Sequence, residues 1–147
     1  MDGPVGIAAA TVAFAGTLCT SVHTLHEAIS SWVNAPRTLH ELRTGIKAFQ
    51  EVLTSLTAEL KSATEDSSPS NQRAVYQKLE PVFQGCQQSC DEFSSLLRKI
   101  TSHSGEDRLS KRDRIRVHLN EREIAQFKGN LEVYKSTLVV ALQHATV

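Results

Sequence analysis

Three long stretches of this chain repeat an apolar residue every third or fourth position, and that period narrows its folds more than any other feature. One ladder runs Leu39, Leu42, Ile46, Phe49, Leu53, Leu56, Leu60 and Ala63. A second runs Tyr76, Leu79, Phe83, Cys86, Cys90, Phe93, Leu97 and Ile100, and a third Ile124, Phe127, Leu131, Tyr134, Leu138, Ala141 and Ala145. This spacing lines up along one stripe of a 3.6-residue helix, whereas a half-buried strand needs alternation every second residue. No segment sustains such alternation, so the expected class is all-α.

The breaks between ladders are chemical as well as periodic. Pro36 disfavours helical geometry at Ala35, and Asn34 is suited to cap the second helix, so a first helix is expected over residues 4–33 and the second over 36–64. The polar run EDSSPSN, residues 65–71, contains Pro69 and no core residue, and forms the next connection. A third helix is expected over 70–102, with Pro81 either kinking it or marking its true start. In SHSGED, residues 102–107, Gly105 is expected to end that helix in a left-handed conformation and Asp107 to cap the next. The last helix is expected over 108–146. Asn120 and Glu123 have capping-box spacing, so this helix breaks near Asn120, leaving a short helix at 109–119. Short connections reverse direction, giving an antiparallel up-and-down bundle of four long helices in a single domain, 1–147. The final pattern, STLVVALQHATV, carries no stop signal, as expected for a front module of something longer or for a projecting helix.

The remaining segment differs from the ladders. From Gly3 to Val22 no side chain is ionisable except Cys19. A helix of this length is ~30 Å long, close to a bilayer's hydrocarbon thickness. Its large apolar residues are only Val5, Ile7, Val12, Phe14, Leu18 and Val22, among Gly, Thr, Ser and Pro, so insertion of one copy is marginal. Two states fit: a buried Ala-rich core helix, and a segment that enters lipid when several copies gather. A secretion signal does not fit, because residue 2 is Asp and the first basic residue is Arg37.

Net charge is zero and hydrophobic residues make up 40% of the chain, enough for one globular core. The three cysteines, Cys19, Cys86 and Cys90, form no disulfide framework and point to a reducing cytosol. Cys86 and Cys90, four apart, read as small buried thiols. Charge is unevenly placed: Arg108, Lys111, Arg112, Arg114 and Arg116 cluster around one acid, Asp113. Such a cluster suits anionic lipid headgroups, or else is a solvated helix start neutralised by Glu106, Asp107, Glu121 and Glu123.

Catalytic constellations are missing from the pattern. HTLHE sets His23, His26 and Glu27 on one helical face, but zincins space their histidines four apart with the glutamate beside the first, and no third ligand is announced. Phosphate-cradling glycine loops, nucleophile elbows and CxxC pairs do not occur. A lone tryptophan, Trp32, and a neutral pI argue against a nucleic-acid surface. The chain is expected to be no enzyme and to need no cofactor or metal.

Taken together, GIAAATVAFAG, WVNAPRTLHELRTGIKAFQEVLTSL, CQQSCDEFSSLLRKI and EREIAQFKGNLEVYKSTLVVAL resemble the HeLo-like N-terminal domain of fungal STAND (NLR-type) receptors and related cell-death proteins. The resemblance implies a bundle analogous to the executioner domain of mixed lineage kinase-like pseudokinase and to plant resistance-receptor CC domains. It further implies an effector of regulated cell death, cytoplasmic at rest and activated by self-association, whose first helix engages the plasma membrane through Val5, Ile7, Val12, Phe14 and Leu18. A NACHT domain or amyloid-signalling region, the usual partner in that family, is expected outside these residues. The alternative expectation is a helical protein-interaction or oligomerisation module of a signalling receptor with no membrane step.

Overall fold

The computed structural model describes the backbone of residues 4–65 and 70–145 and the side chains of residues 10–62 and 77–143. Among these residues the chain forms α1 (Pro4–Ser30), α2 (Arg37–Glu65), α3 (Ser70–Ile100), α4 (Lys111–Leu119) and α5 (Glu121–Ala145), and no strand. The all-helical bundle expected from the ladders is the observed architecture. Each ladder is the buried stripe of its helix: Leu39 to Leu60 in α2, Leu79 to Ile100 in α3, and Ile124, Phe127, Leu131, Leu138 and Ala141 in α5. Ala63, Tyr76 and Ala145 lie outside the described side chains.

Cross-helix contacts fix the directions. Cys19 meets Thr57 and His23 meets Gln50, so α1 and α2 run antiparallel. Thr38 meets Glu121 and Gly45 sits against Lys128, a constant offset that makes α2 and α5 parallel. Tyr134 lies over Gly85 while Phe93 stacks on Phe127, with centroids 4.2 Å apart and planes within 3°, so α3 and α5 are antiparallel. Directions therefore alternate along the chain, as short connections require. Spatially, however, α1 packs on α2 and α3, and α5 packs on the same two, so among the described residues the consecutive helices α2 and α3 face each other across a diagonal. Two of the four neighbouring pairs are thus parallel.

The helix ends differ from expectation in ways that local hydrogen bonding explains. Helix α1 stops at Ser30 because the Val33 amide leaves the helical path and donates to the Asp107 carbonyl at 2.9 Å. Asn34, expected to cap α2, instead reaches across the molecule. Its Nδ2 donates to the Leu109 carbonyl at 2.9 Å and its Oδ1 accepts the Leu109 amide at 2.7 Å. Pro81 lies inside α3 and does not mark its start. Gly105 is not left-handed, for no described glycine has positive φ, and its amide closes a turn onto the Arg108 carbonyl at 3.1 Å. The cap of α4 is Ser110, not Asp107: its hydroxyl accepts the Asp113 amide at 3.1 Å. The break at Asn120 is observed, with its side-chain amide donating back to the Arg116 carbonyl at 2.7 Å rather than forming the capping box expected with Glu123.

Candidate functional site

Helix α1 is where a lipid-engaging surface was expected, and packing divides that surface. Thr11, Ala15, Leu18, Val22, Leu25 and Ile29 form its buried stripe, at steps of three and four. Leu18 is fully buried, Val12 packs half-buried against the core, and Phe14 faces solvent at 37% exposure. The side chains of Val5 and Ile7 lie outside the described residues. The outward face carries Ala13, Thr17, Thr20 and Thr24, and each of these threonine hydroxyls donates to the carbonyl four residues back, at 2.9–3.2 Å. Back-bonding of this kind satisfies the hydroxyls locally, which lets an uncharged helix border water. Among the described residues no helix is long and apolar enough to cross a membrane.

Helix α4 presents a different surface. At 100° per residue, Asp113 and Val117 share one side, and both are fully buried. The opposite side carries Lys111, Arg112, Ile115 and Leu119. Ile115 is 61% and Leu119 74% exposed, one turn apart. Arg108, Lys111, Arg112 and Arg114 are exposed around this apolar pair. Among the described residues none of them has a carboxylate within 4.0 Å, and Glu121, expected to neutralise the cluster, engages Thr38 at 3.2 Å and His118 at 3.1 Å instead. Arg116 stands apart from this group. Its guanidinium turns to the end of α3, donating to the Lys99 carbonyl at 3.3 Å and the Ser102 hydroxyl at 3.4 Å, where a cation complements the helix dipole.

What holds α4 in place is a buried carboxylate that periodicity does not reveal. Asp113 Oδ2 accepts the His103 amide at 2.9 Å and the Ser104 hydroxyl at 2.6 Å, and Ser104 Oγ in turn accepts the Ser110 amide at 3.0 Å. Asp113 Oδ1 is buried without a hydrogen-bond partner. The sequence signal is S-x-x-D at Ser110–Asp113, a capping-box spacing lying inside a run that stands out only for its positive charge. Burying one acid inward leaves the basic residues of the same helix facing out.

The other sequence candidates are not drawn together. His23 meets Gln50 at 3.3 Å and His26 lies 3.9 Å from Glu27, and no set of three or more metal-ligating side chains converges among the described residues. The Cys86 thiol is pushed up in pKa by its hydrogen bond to Cys90 and by burial, which keeps it protonated and unreactive.

A family model described as pigment biosynthesis cluster protein PigL N-terminal matches residues 2–147. The chain belongs to that family. No curated protein and no solved structure matches it.

Proposed function

We propose that this member of the PigL N-terminal family is a non-catalytic helical module that docks on anionic membrane surfaces through the outer face of α4. The supporting observation is the exposed Ile115–Leu119 pair set among cations with no carboxylate within 4.0 Å among the described residues. A helix with aliphatic residues between basic ones lies in the headgroup region, its apolar side sunk a few ångströms and its charges at the phosphates. Each such cation contributes about 1 kcal/mol, so Arg108, Lys111, Arg112 and Arg114 together give about 4 kcal/mol, roughly a thousandfold preference for an anionic surface over a neutral one. Docking of one copy is therefore weak and reversible, and clustering several copies strengthens it through effective concentration.

Assigning the contact to α4 preserves the membrane-targeted, self-association-dependent effector role in cell death that the HeLo-like resemblance implies, without requiring α1 to leave the bundle. Freeing α1 would expose Leu18, Val22, Leu25 and Ile29, at about 6–12 kcal/mol, comparable to the entire stability of an ordinary domain. Docking through α4 requires no such rupture.

Cosedimentation with phosphatidylcholine vesicles, with and without phosphatidylserine, tests this. Binding is expected only to the anionic vesicles, falling as salt rises from tens to hundreds of millimolar. It is expected to be lost in Lys111→Glu/Arg112→Glu and in Ile115→Asp without a change in melting temperature. Binding that persists in both variants would overturn the assignment to α4. A second reading, self-association without membrane contact, is favoured by Val133 and Val140, exposed seven residues apart on α5. A concentration-dependent dimer lost in Val133→Glu, with no vesicle binding, would select it.

A further inference from the structure

We infer that the cleft between the C-terminal half of α1 and the N-terminal half of α2 binds a phosphate ester, its phosphoryl oxygens held by Arg43, Lys47, His26 and Ser30. The cleft has a volume of about 330 Å³ and is lined by His26, Ser30, Arg43, Thr44 and Lys47. It shares no residue with the α4 face, so the two proposals stand or fall separately. The register comes from the bundle itself. With His23 against Gln50 on these antiparallel helices, each further turn sets His26 opposite Lys47 and Ser30 opposite Arg43. Each pair on its own helix is four residues apart, hence on one face. Four polar side chains thus mark the corners of a single patch.

Two observations point to an anion there. Arg43 and Lys47 are like charges one turn apart, a mildly destabilising pair, and among the described residues neither has a carboxylate within 4.0 Å. Arg37, nearer the start of the same helix, is paired with Glu41 at 3.1 Å, and Glu27, the acid beside the cleft, lies 3.9 Å from His26. Second, Ser30 Oγ is buried and has no hydrogen-bond partner. Other hydroxyls of the two helices, those of Thr20, Thr24 and Thr44, donate to the carbonyl four residues back, at 3.2, 2.9 and 3.2 Å. Buried polar groups are paired as a rule, and a turn about the Ser30 Cα–Cβ bond would bring this hydroxyl from its buried position to a phosphoryl oxygen in the cleft. The Thr44 hydroxyl, already committed to His40, only shapes the wall. A guanidinium and an ammonium facing an imidazole and a hydroxyl suit the several oxygens of a phosphate monoester, with Arg43 offering the forked donors that phosphate recognition uses. The cleft is larger than a phosphate group alone needs, which leaves room for the esterified carbon.

Titration of the ¹⁵N-labelled chain with pyrophosphate tests the site. Saturable shifts of the Ser30, Arg43, Thr44 and Lys47 amides are expected. Arg43→Gln and Lys47→Gln should each weaken binding at least about tenfold, the loss of one charge-assisted contact, whereas Lys111→Gln/Arg112→Gln should leave it unchanged. Should Arg43→Gln fail to fold, the exposed Lys47 carries the test. Vesicles bearing phosphatidic acid or, at equal charge, phosphatidylserine then separate the sources. An Arg43-dependent preference for phosphatidic acid assigns the ester to a lipid headgroup, and pyrophosphate binding without that preference assigns it to a soluble compound. Shifts that do not saturate, or that weaken equally on substituting the α4 cations, overturn the proposal.

Discussion

Asn34 and Leu109 are joined by two reciprocal hydrogen bonds, the side-chain amide of one spanning both backbone groups of the other at 2.9 and 2.7 Å. With the Val33 amide on the Asp107 carbonyl, this clamp ties the turn between α1 and α2 to the loop that delivers α4. One side chain thereby connects the cleft-bearing hairpin with the helix proposed to meet the membrane.

Asn34→Ala should destabilise the domain by about 1–3 kcal/mol, because it removes both bonds and strands a donor and an acceptor on Leu109. Urea denaturation checks this. Asn34→Asp keeps an acceptor for the Leu109 amide but turns a carboxylate oxygen toward the Leu109 carbonyl in place of the donor, so its midpoint should also fall below that of the wild type.

Asp113→Ala should cost about 3 kcal/mol or more, since charge-assisted hydrogen bonds are the strong ones and Asp113 serves the His103 amide and the Ser104 hydroxyl together. Hydrogen exchange should show α4 opening first. A variant whose α4 amides remain as protected as in the wild type would refute the role given to this carboxylate.

Leu18→Lys and Phe14→Lys should part company. Leu18 is fully buried, so a lysine there faces both the lost burial and the desolvation of its charge and should leave the domain unfolded by circular dichroism. Phe14 already borders solvent, and Phe14→Lys should fold with a melting temperature within a few degrees of the wild type. Because the docking face is assigned to α4, the folded Phe14→Lys protein should also bind anionic vesicles as well as the parent.

Gly129→Ala should stabilise α5 by about 0.5–1 kcal/mol, the difference in helix propensity, because an added Cβ there meets nothing within 4 Å. Gly85→Ala brings a Cβ to 3.1 Å from Tyr134 Oη, so Tyr134 must give way before the same gain is realised. Thermal melts of the two variants should rank Gly129→Ala above Gly85→Ala.

The proposed docking face is only partly legible in the sequence, which offers two positive signals: the uncharged first segment and the basic run at Arg108–Arg116. The first is ambiguous, because a helix poor in charge looks the same whether its partner is lipid or protein, and only packing distinguishes them. The second is sound in charge but silent on geometry. A linear reading offers only the S-x-x-D spacing as a sign that Asp113 turns inward, and nothing that tells that Arg116 turns toward α3 or that Ile115 and Leu119 are left outside.

The sequence by itself determined the helices and their buried stripes, since a period of three to four residues is a local property that any partner must respect. Tertiary structure alone decided which helices are neighbours and where the polar side chains bond. Asn34 had every local attribute of a helix cap, yet its partner lies 75 residues away in sequence. Ser30 and Arg43, unremarkable in their own segments, line one cleft only because α1 and α2 run antiparallel in one register. Helical period is carried by neighbouring residues, while the pairing of distant groups depends on how whole helices settle around a shared core, and no short stretch of chain encodes that.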